Sequence, residues 1–251
     1  MDGDRWYRFR RQGNELAYEG NGSAESVTSL FRLEVDVSEI ESKIVEIGPE
    51  IKPAIKAMSG IRLMRPSSLV ETVFTFMCTA NNNLSRIIPM TWKLGSYGEL
   101  LSEGFNAFPS VERIASIPEE DLRNSAFGYR AATIPNAAKE IENRGGEIWL
   151  DALKQCDYQD LIKELVTLPG IGPKLADCIA LYGYDRGEAV PLDTHIWQVF
   201  TRLYHPAWKD KAVTDFRYRE STNLFRARFG YLSGWAHLFL FFANLTKRNR
   251  E

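Results

Sequence analysis

The run Leu165-Val166-Thr167-Leu168-Pro169-Gly170-Ile171-Gly172-Pro173-Lys174 leaves the backbone few options. A helical pattern over residues 158–167 ends at Thr167, and Leu168-Pro169-Gly170-Ile171-Gly172 dictates a tight turn. Pro173 then falls on the first residue of a helix, the position that tolerates proline best. The helical pattern resumes over residues 173–182. Glycine lets the chain bend sharply and lets a ligand approach the backbone without meeting a Cβ. The uncovered amides at the second helix start suit a phosphate. An ordinary αα-hairpin with a glycine turn has the same outline, so the turn alone leaves a structural reading beside the ligand-binding one.

The rest of the chain divides in two. Residues 6–10 and 14–18 flank Gln12-Gly13 and predict a β-hairpin. Gly20-Asn21-Gly22 marks a second turn, and residues 27–35 predict a further strand. From Ser38, taken as an N-cap, Ile40, Ile44, Val45 and Ile47 follow helical spacing up to Gly48-Pro49. Beyond Ala57 the pattern is helical throughout, with segments at 67–78, after Asn83 to Gly95, 110–115, 118–122, 129–143, 148–153, 158–167, 173–182, 194–204 and 234–244. The expected organisation is a small α+β N-terminal domain over 1–57 and an all-α body over 58–251, in all a mainly α fold.

Composition excludes several classes. Of 251 residues, 44% are hydrophobic and 25% charged, an ordinary globular balance that argues against disorder or a disulfide scaffold. The three cysteines, Cys78, Cys156 and Cys178, form no CxxC pair, and the three histidines are scattered. That disfavours a metal centre and reads as a reducing compartment. No cofactor is expected. No apolar run approaches the ~20 residues of a membrane span. A net charge of −2 names no partner, because nucleic-acid binding needs only a local basic face.

Lys174 lies in the first turn of its helix, where the positive end of the dipole opposes an ammonium. Such a lysine suits Schiff-base chemistry. It equally suits a phosphate contact, and this helix alone does not separate the two. Nineteen residues on, Asp193 follows Val190-Pro191-Leu192 and is placed to cap the next helix. It reads either as a cap only or as a carboxylate held beside the hairpin, able to stabilise a cationic sugar. His195, in the first turn after it, is either a structural histidine or a phosphate donor. Asp177, at i+3 from Lys174, is read as one half of a surface ion pair.

Helix, glycine-rich hairpin, helix and a downstream aspartate together resemble the helix-hairpin-helix DNA glycosylase superfamily. Four further segments narrow the resemblance to the 8-oxoguanine DNA glycosylase/AP lyase family. They are Cys78-Thr79-Ala80-Asn81-Asn82-Asn83-Leu84-Ser85-Arg86, Phe127-Gly128-Tyr129-Arg130, Lys174-Leu175-Ala176-Asp177-Cys178 and Gly234-Trp235-Ala236-His237-Leu238-Phe239-Leu240-Phe241. The likeness spans about residues 60–245, with the motifs in family order. It implies a base-excision repair enzyme that removes oxidised guanine, preferably opposite cytosine.

By this resemblance Lys174 is the nucleophile at C1′ and Asp193 the catalytic carboxylate. His195 and the amides of Gly170 and Gly172 grip phosphates. Asn81 fills the gap left by the extruded nucleotide, which must leave the stack before chemistry can reach it. Arg86 and Arg130 read the orphaned cytosine and Tyr129 wedges the stack. Cys178 and Phe241 sandwich the base; His237 lies in the same pocket, where eukaryotic members carry a glutamine that reads the Watson–Crick edge. The implied partner is damaged double-stranded DNA. A monomer is expected, with no membrane association, in the cytoplasm at the nucleoid of a prokaryote or in the nucleus of a eukaryote.

In the family, a strand-rich N-terminal domain supplies a backbone carbonyl that detects the N7 proton of the oxidised base. Little precedes Trp6 in this sequence, so the front is expected to be shortened and excision of the oxidised base weak beside abasic-site nicking. Two alternatives carry different expectations. An alkylated-base glycosylase of the same fold keeps the aspartate but generally lacks the hairpin lysine. A non-catalytic helix-hairpin-helix DNA-binding protein explains Gly170, Gly172 and His195 but not the coincidence of Lys174, Asp193, Asn81 and Arg130.

Overall fold

A computed structural model describes residues 2–248 apart from Asn14 and Glu103. Strands β1 (Tyr7–Gln12) and β2 (Glu15–Gly20) pair antiparallel, with Tyr7 opposite Gly20 and Gln12 opposite Glu15. Asn14, expected at the start of the second strand, lies outside the described residues.

The next segment corrects an expectation. Residues 27–35 are not a strand, because α1 (Ala24–Phe31) runs through most of them. Ser23 accepts from the Ser26 amide at the helix start. Val27 and Leu30, three apart on one helical face, bury with Tyr7 of the hairpin. That spacing outweighs a composition rich in β-formers. The following helix, α2 (Val37–Ile47), is capped by Asp36 rather than Ser38. Asp36 accepts from the amides of Ser38 and Glu39 and also from the Ser38 hydroxyl. After Gly48, a short 3-10 turn leads into α3 (Lys52–Ala57). Ile44, Ile51 and Ile55 share one apolar core with the later helices, so α2 and α3 pack within the body.

The body continues with α4 (Leu69–Thr79), α5 (Leu84–Gly95), a small hairpin of β3 (Leu100–Ser102) and β4 (Phe105–Asn106), α6 (Val111–Ala115), α7 (Glu119–Asn124) and α8 (Arg130–Asn143). Then come α9 (Gly146–Ala152), α10 (Tyr158–Leu165), α11 (Pro173–Gly183), α12 (Thr194–Leu203), α13 (Asp215–Phe229) and α14 (Ser233–Arg248). Most boundaries fall within two residues of the sequence reading, because Ser68, Asn83, Ser110, Asp157 and Asp193 each accept a backbone amide at a helix start. Besides the 3-10 turns, α3, the β3–β4 hairpin and α13 have no counterpart in that reading. The β3–β4 hairpin is short and joins the front piece through Trp6, which stacks on Phe105 at 4.7 Å. α13 buries Ser221, Thr222, Phe225 and Phe229, a stripe half made of hydroxyl residues and therefore faint as apolar periodicity.

α11 is the axis of the body. Leu175 through Leu181 are all buried, against α4 on one side and α10 on another. At its far end Gly183 meets Leu69 and Thr72 so closely that a Cβ would lie 3.2 Å from each. A Cβ on Gly234 would lie 2.3 Å from a Leu181 methyl, so α14 seats directly on α11 at that glycine. This contact brings His237, three residues on, towards the start of α11. Side chains such as Phe74, Phe127, Phe200 and Phe239 are fully buried around this axis, each contributing roughly 1.5–3 kcal/mol. Among the described residues no helix is long and apolar enough to cross a membrane. The fold is mainly α, with two small antiparallel hairpins.

Candidate active site and nucleic-acid interface

Buried Leu168 and Ile171 anchor the hairpin between α10 and α11. Its two glycines serve different ends. Gly170 has φ +82°, and a Cβ there would lie 3.1 Å from Thr133 Cβ and 3.4 Å from Met77 Cε, so conformation and space both require glycine. Gly172 has φ −94°, which any residue adopts, and its Cβ would meet nothing within 4 Å. No side chain caps the α11 amides above it. The fold makes no demand for glycine at 172; the missing Cβ leaves room for something outside the chain.

Directly beneath, Lys174 is half-buried and faces the Cys178 thiol one turn on. Burial pushes that thiol up to about 11, with the Lys174 charge pulling the other way. Asp193 begins α12, and its carboxylate accepts from the Ile196 amide at 2.8 Å. Its charge also acts on Cys178 and on His237, so it stands close to both. His237 is 6% exposed, with Nε2 2.8 Å from the Pro191 carbonyl oxygen. A carbonyl only accepts, so Nε2 carries the proton. Nδ1 is then a bare lone pair, buried with no partner among the described residues. Burial holds the ring down to about 4 despite the attraction of Asp193, so it is neutral at pH 7.

Phe241 lies parallel to the His237 ring at 6.1 Å and edge-on to His195 at 5.8 Å. Nδ1 of His195 is likewise buried without a partner. Lys174, Cys178, Asp193, His195, His237 and Phe241 are thus gathered from three helices. Two open surface hollows, of about 420 and 510 Å³, lie elsewhere, beside Ala24, Thr28 and Arg65 and beside Tyr97 and Arg113.

The other four expected residues form a second group around the α4–α5 turn. Asn81 is exposed at the tip with φ +46°, a left-handed conformation that asparagine tolerates. Asn82 donates to the Cys78 carbonyl at 3.0 Å and Asn83 accepts from the Arg86 amide at 3.2 Å, so the three asparagines hold three different positions. Arg86 is exposed and donates to the Ala126 carbonyl at 3.1 Å. Tyr129 is 54% exposed, with its hydroxyl 3.2 Å from the Ala80 carbonyl. Arg130 is only 3% exposed, donates to the same Ala80 carbonyl, and lies under the Tyr129 ring at 4.6 Å.

Asp177 corrects the sequence reading outright. It is 2% exposed, not half of a surface ion pair, and it accepts from Tyr158 Oη at 2.5 Å and from Tyr218 Oη. The signal was present in the sequence: a lone acid inside Leu175-Ala176-Asp177-Cys178-Ile179-Ala180-Leu181 has no solvent face.

Fold and site together define a helix-hairpin-helix protein with a lysine at the hairpin. The profile of the HhH-GPD superfamily base excision DNA repair protein matches residues 74–223, and the chain belongs to that superfamily. It is 33% identical over 230 residues to the N-glycosylase/DNA lyase OGG1 of Arabidopsis thaliana, covering 89% of this chain and 63% of the relative. It is 32% identical over 188 residues to the N-glycosylase/DNA lyase of Saccharomyces cerevisiae, covering 69% of this chain and 50% of the relative. The chain thus spans between half and two thirds of the length of these relatives. Among solved structures, MBOgg1 in complex with a low affinity DNA ligand superposes with a TM-score of 0.84 at 26% identity, covering 96% of this chain and 82% of that one. The Clostridium acetobutylicum 8-oxoguanine glycosylase/lyase in complex with dsDNA shares the fold, with a TM-score of 0.82 at 24% identity, covering 98% and 82%.

Proposed function

We propose that this protein is a bifunctional DNA N-glycosylase and AP lyase that removes 8-oxoguanine, preferably opposite cytosine, from duplex DNA. The observation that carries this reading is the convergence of Lys174, Cys178, Asp193 and His237 beneath a hairpin whose Gly172 is open to an outside ligand. Lys174 Nζ bonds to C1′ as the bond from C1′ to the base breaks, and the electron pair leaves with the base. The Asp193 carboxylate stabilises the positive charge that develops on the sugar. Loss of a proton from the new amine and opening of the sugar ring give the Schiff base, and loss of a 2′ proton then expels the 3′ phosphate. The amides of Gly170 and Gly172 and the His195 ring hold phosphates in this reading. The extruded base lies between Cys178 and Phe241, with the His237 Nδ1 lone pair beside it.

On the opposite side, Asn81 fills the vacated space, Tyr129 wedges the stack, and Arg86 and Arg130 meet the orphaned cytosine. The guanidinium fork matches the acceptors of cytosine. Lys174 in the first turn of α11 favours this reading over an alkylated-base glycosylase, and the pairing of Asp193 with the buried His237 favours it over a module that only binds DNA. Single-turnover excision on duplexes carrying 8-oxoguanine, an alkylated purine or an abasic site tests the assignment. Fastest excision is expected for 8-oxoguanine opposite cytosine, with strand nicking. Excision of the alkylated purine without nicking would overturn it.

A further inference from the structure

Asp177 is a buried acid whose two oxygens are held by neutral phenols and not by a cation. Tyr158 of α10 donates to one oxygen at 2.5 Å and Tyr218 of α13 to the other. Arg226 Nη1 donates to the Tyr158 oxygen at 2.8 Å, one bond removed from the carboxylate. The backbone N–H of Val190 also faces Asp177, and that of Leu192 faces the Tyr218 oxygen. Pro191, between them, accepts from His237. Pro191 is thus held by α14, while the N–H groups of Val190 and Leu192 on either side face α11 and α13, and the next residue is Asp193. A buried carboxylate without a direct cationic partner is costly, and an apolar side chain would fill this site more stably. Its presence calls for a role that an apolar side chain would not perform.

We propose that Asp177 is a positioning residue that clamps the Val190–Leu192 segment, through Tyr218, to the helix carrying Lys174, and so fixes the spacing between Lys174 and Asp193. Asp177 is one turn from Lys174 on α11, and the segment it holds ends at the α12 cap. A shift of the cap by about 1 Å would cost on the order of 10²-fold in rate. The arrangement also accounts for α13, whose inward stripe of Tyr218, Ser221, Thr222 and Arg226 makes it the clamp's outer jaw. The charged and titratable groups around the carboxylate are Tyr158 on α10, Tyr218 and Arg226 on α13, Glu188 in the loop before Val190, and Lys174 and Cys178 on its own helix. Burial raises Asp177 to about 6, so the clamp loses its charge as pH falls through that value.

The inference rests on the glycosylase/lyase reading, and the test separates the two. Asp177→Asn and, with less disturbance of packing, Tyr218→Phe are compared with the wild-type chain in two measurements. The first is backbone amide exchange at Val190 and Leu192, which needs no activity. The second is single-turnover nicking of an abasic duplex between pH 5 and 8, with the Kd for that duplex. Faster exchange at both amides is expected, with nicking slowed about tenfold or more and Kd within about threefold. The wild-type loss of rate centred near pH 6 should be missing from Asp177→Asn. Unchanged exchange, or a lower melting temperature with wild-type rate and wild-type acid limb, would make Asp177 merely structural and overturn the proposal. If the wild type itself neither nicks nor traps on any lesion, the glycosylase reading fails, and the exchange result alone then supports or overturns the clamp.

Discussion

The Lys174 cluster and the Asn81–Arg130 turn adjoin at Gly170, which touches Met77 of α4 and Thr133 of α8, yet they are built in opposite ways. Around Lys174 the polar groups are buried or half-buried, and two buried ring nitrogens, Nδ1 of His195 and of His237, have no partner among the described residues. Around Asn81 the polar groups are largely at the surface, and their donors are spent on the protein's own carbonyls at Ala80 and Ala126. The first region is assembled before any ligand arrives. To meet DNA as proposed, the second would have to exchange its internal hydrogen bonds for external ones. In the proposed reaction this divides the labour, with chemistry on a fixed frame and strand reading on a surface that rearranges.

Five substitutions test that division, beginning where the largest effect is expected. Asp193→Asn should slow single-turnover excision by roughly 10²–10⁴-fold, the usual range for a lost acid–base or charge-stabilising group. Asparagine still caps a helix well, so melting should move by less than about 0.5 kcal/mol. A large loss of stability with an unchanged rate would reduce Asp193 to a cap. His237→Gln probes the fixed frame through pH. The folded state holds His237 down to about 4, below its ordinary value of 6.5. Its contribution is therefore complete above pH 6.5 and is lost as pH falls from 6.5 towards 4, on the order of 3 kcal/mol. Chemical denaturation across that window should show the loss in the wild type and not in the variant. Asp177, shifted upward, acts with the opposite sign in both proteins and cancels in the comparison.

The rearranging region should respond differently. Arg86→Ala should narrow the rate ratio between lesions opposite cytosine and opposite adenine by about one to two powers of ten, with stability almost unchanged. Arg130→Ala should narrow the same ratio and also cost about 1–3 kcal/mol, because it removes a buried guanidinium that donates to the Ala80 carbonyl and leaves a void beneath Tyr129. Equal stability losses for the two arginines would erase the contrast. Gly172→Ala should have the smallest effect. Its Cβ has open space in the protein, so the fold should lose less than about 1 kcal/mol, while duplex affinity falls about tenfold if a phosphate approaches that amide. Unchanged affinity would show that nothing docks there.

Most of this frame was legible in the sequence, for identifiable reasons. Asn83, Ser110, Pro173 and Asp193 each mark a helix start by a chemistry that tertiary context rarely overrides. The hairpin, the lysine and the aspartate could be read together because they lie within 26 residues of one another, from Leu168 to Asp193. What failed was whatever depends on neighbours distant in sequence. Residues 27–35 have β-forming composition, and the packing of Val27 and Leu30 on Tyr7 makes 27–31 helical. α13 was invisible because its buried face is half polar and its polar groups match partners on α10 and α11. Asp177 was misplaced by pairing it with its i−3 neighbour instead of asking what an acid does in an apolar run. Arg130 looks like an exposed reader in sequence, and its burial under Tyr129 follows from the Asn81 turn, some 50 residues away.

In the proposed reaction Lys174 forms a covalent bond to the sugar. Borohydride reduction during reaction with an 8-oxoguanine:cytosine duplex, followed by proteolysis and mass measurement of the cross-linked peptide, tests it directly. The expected result is a stable adduct on the peptide containing Lys174, and none with Lys174→Gln, which should still bind the duplex. An adduct of equal yield in Lys174→Gln, or one mapped to a peptide lacking residue 174, would contradict the account.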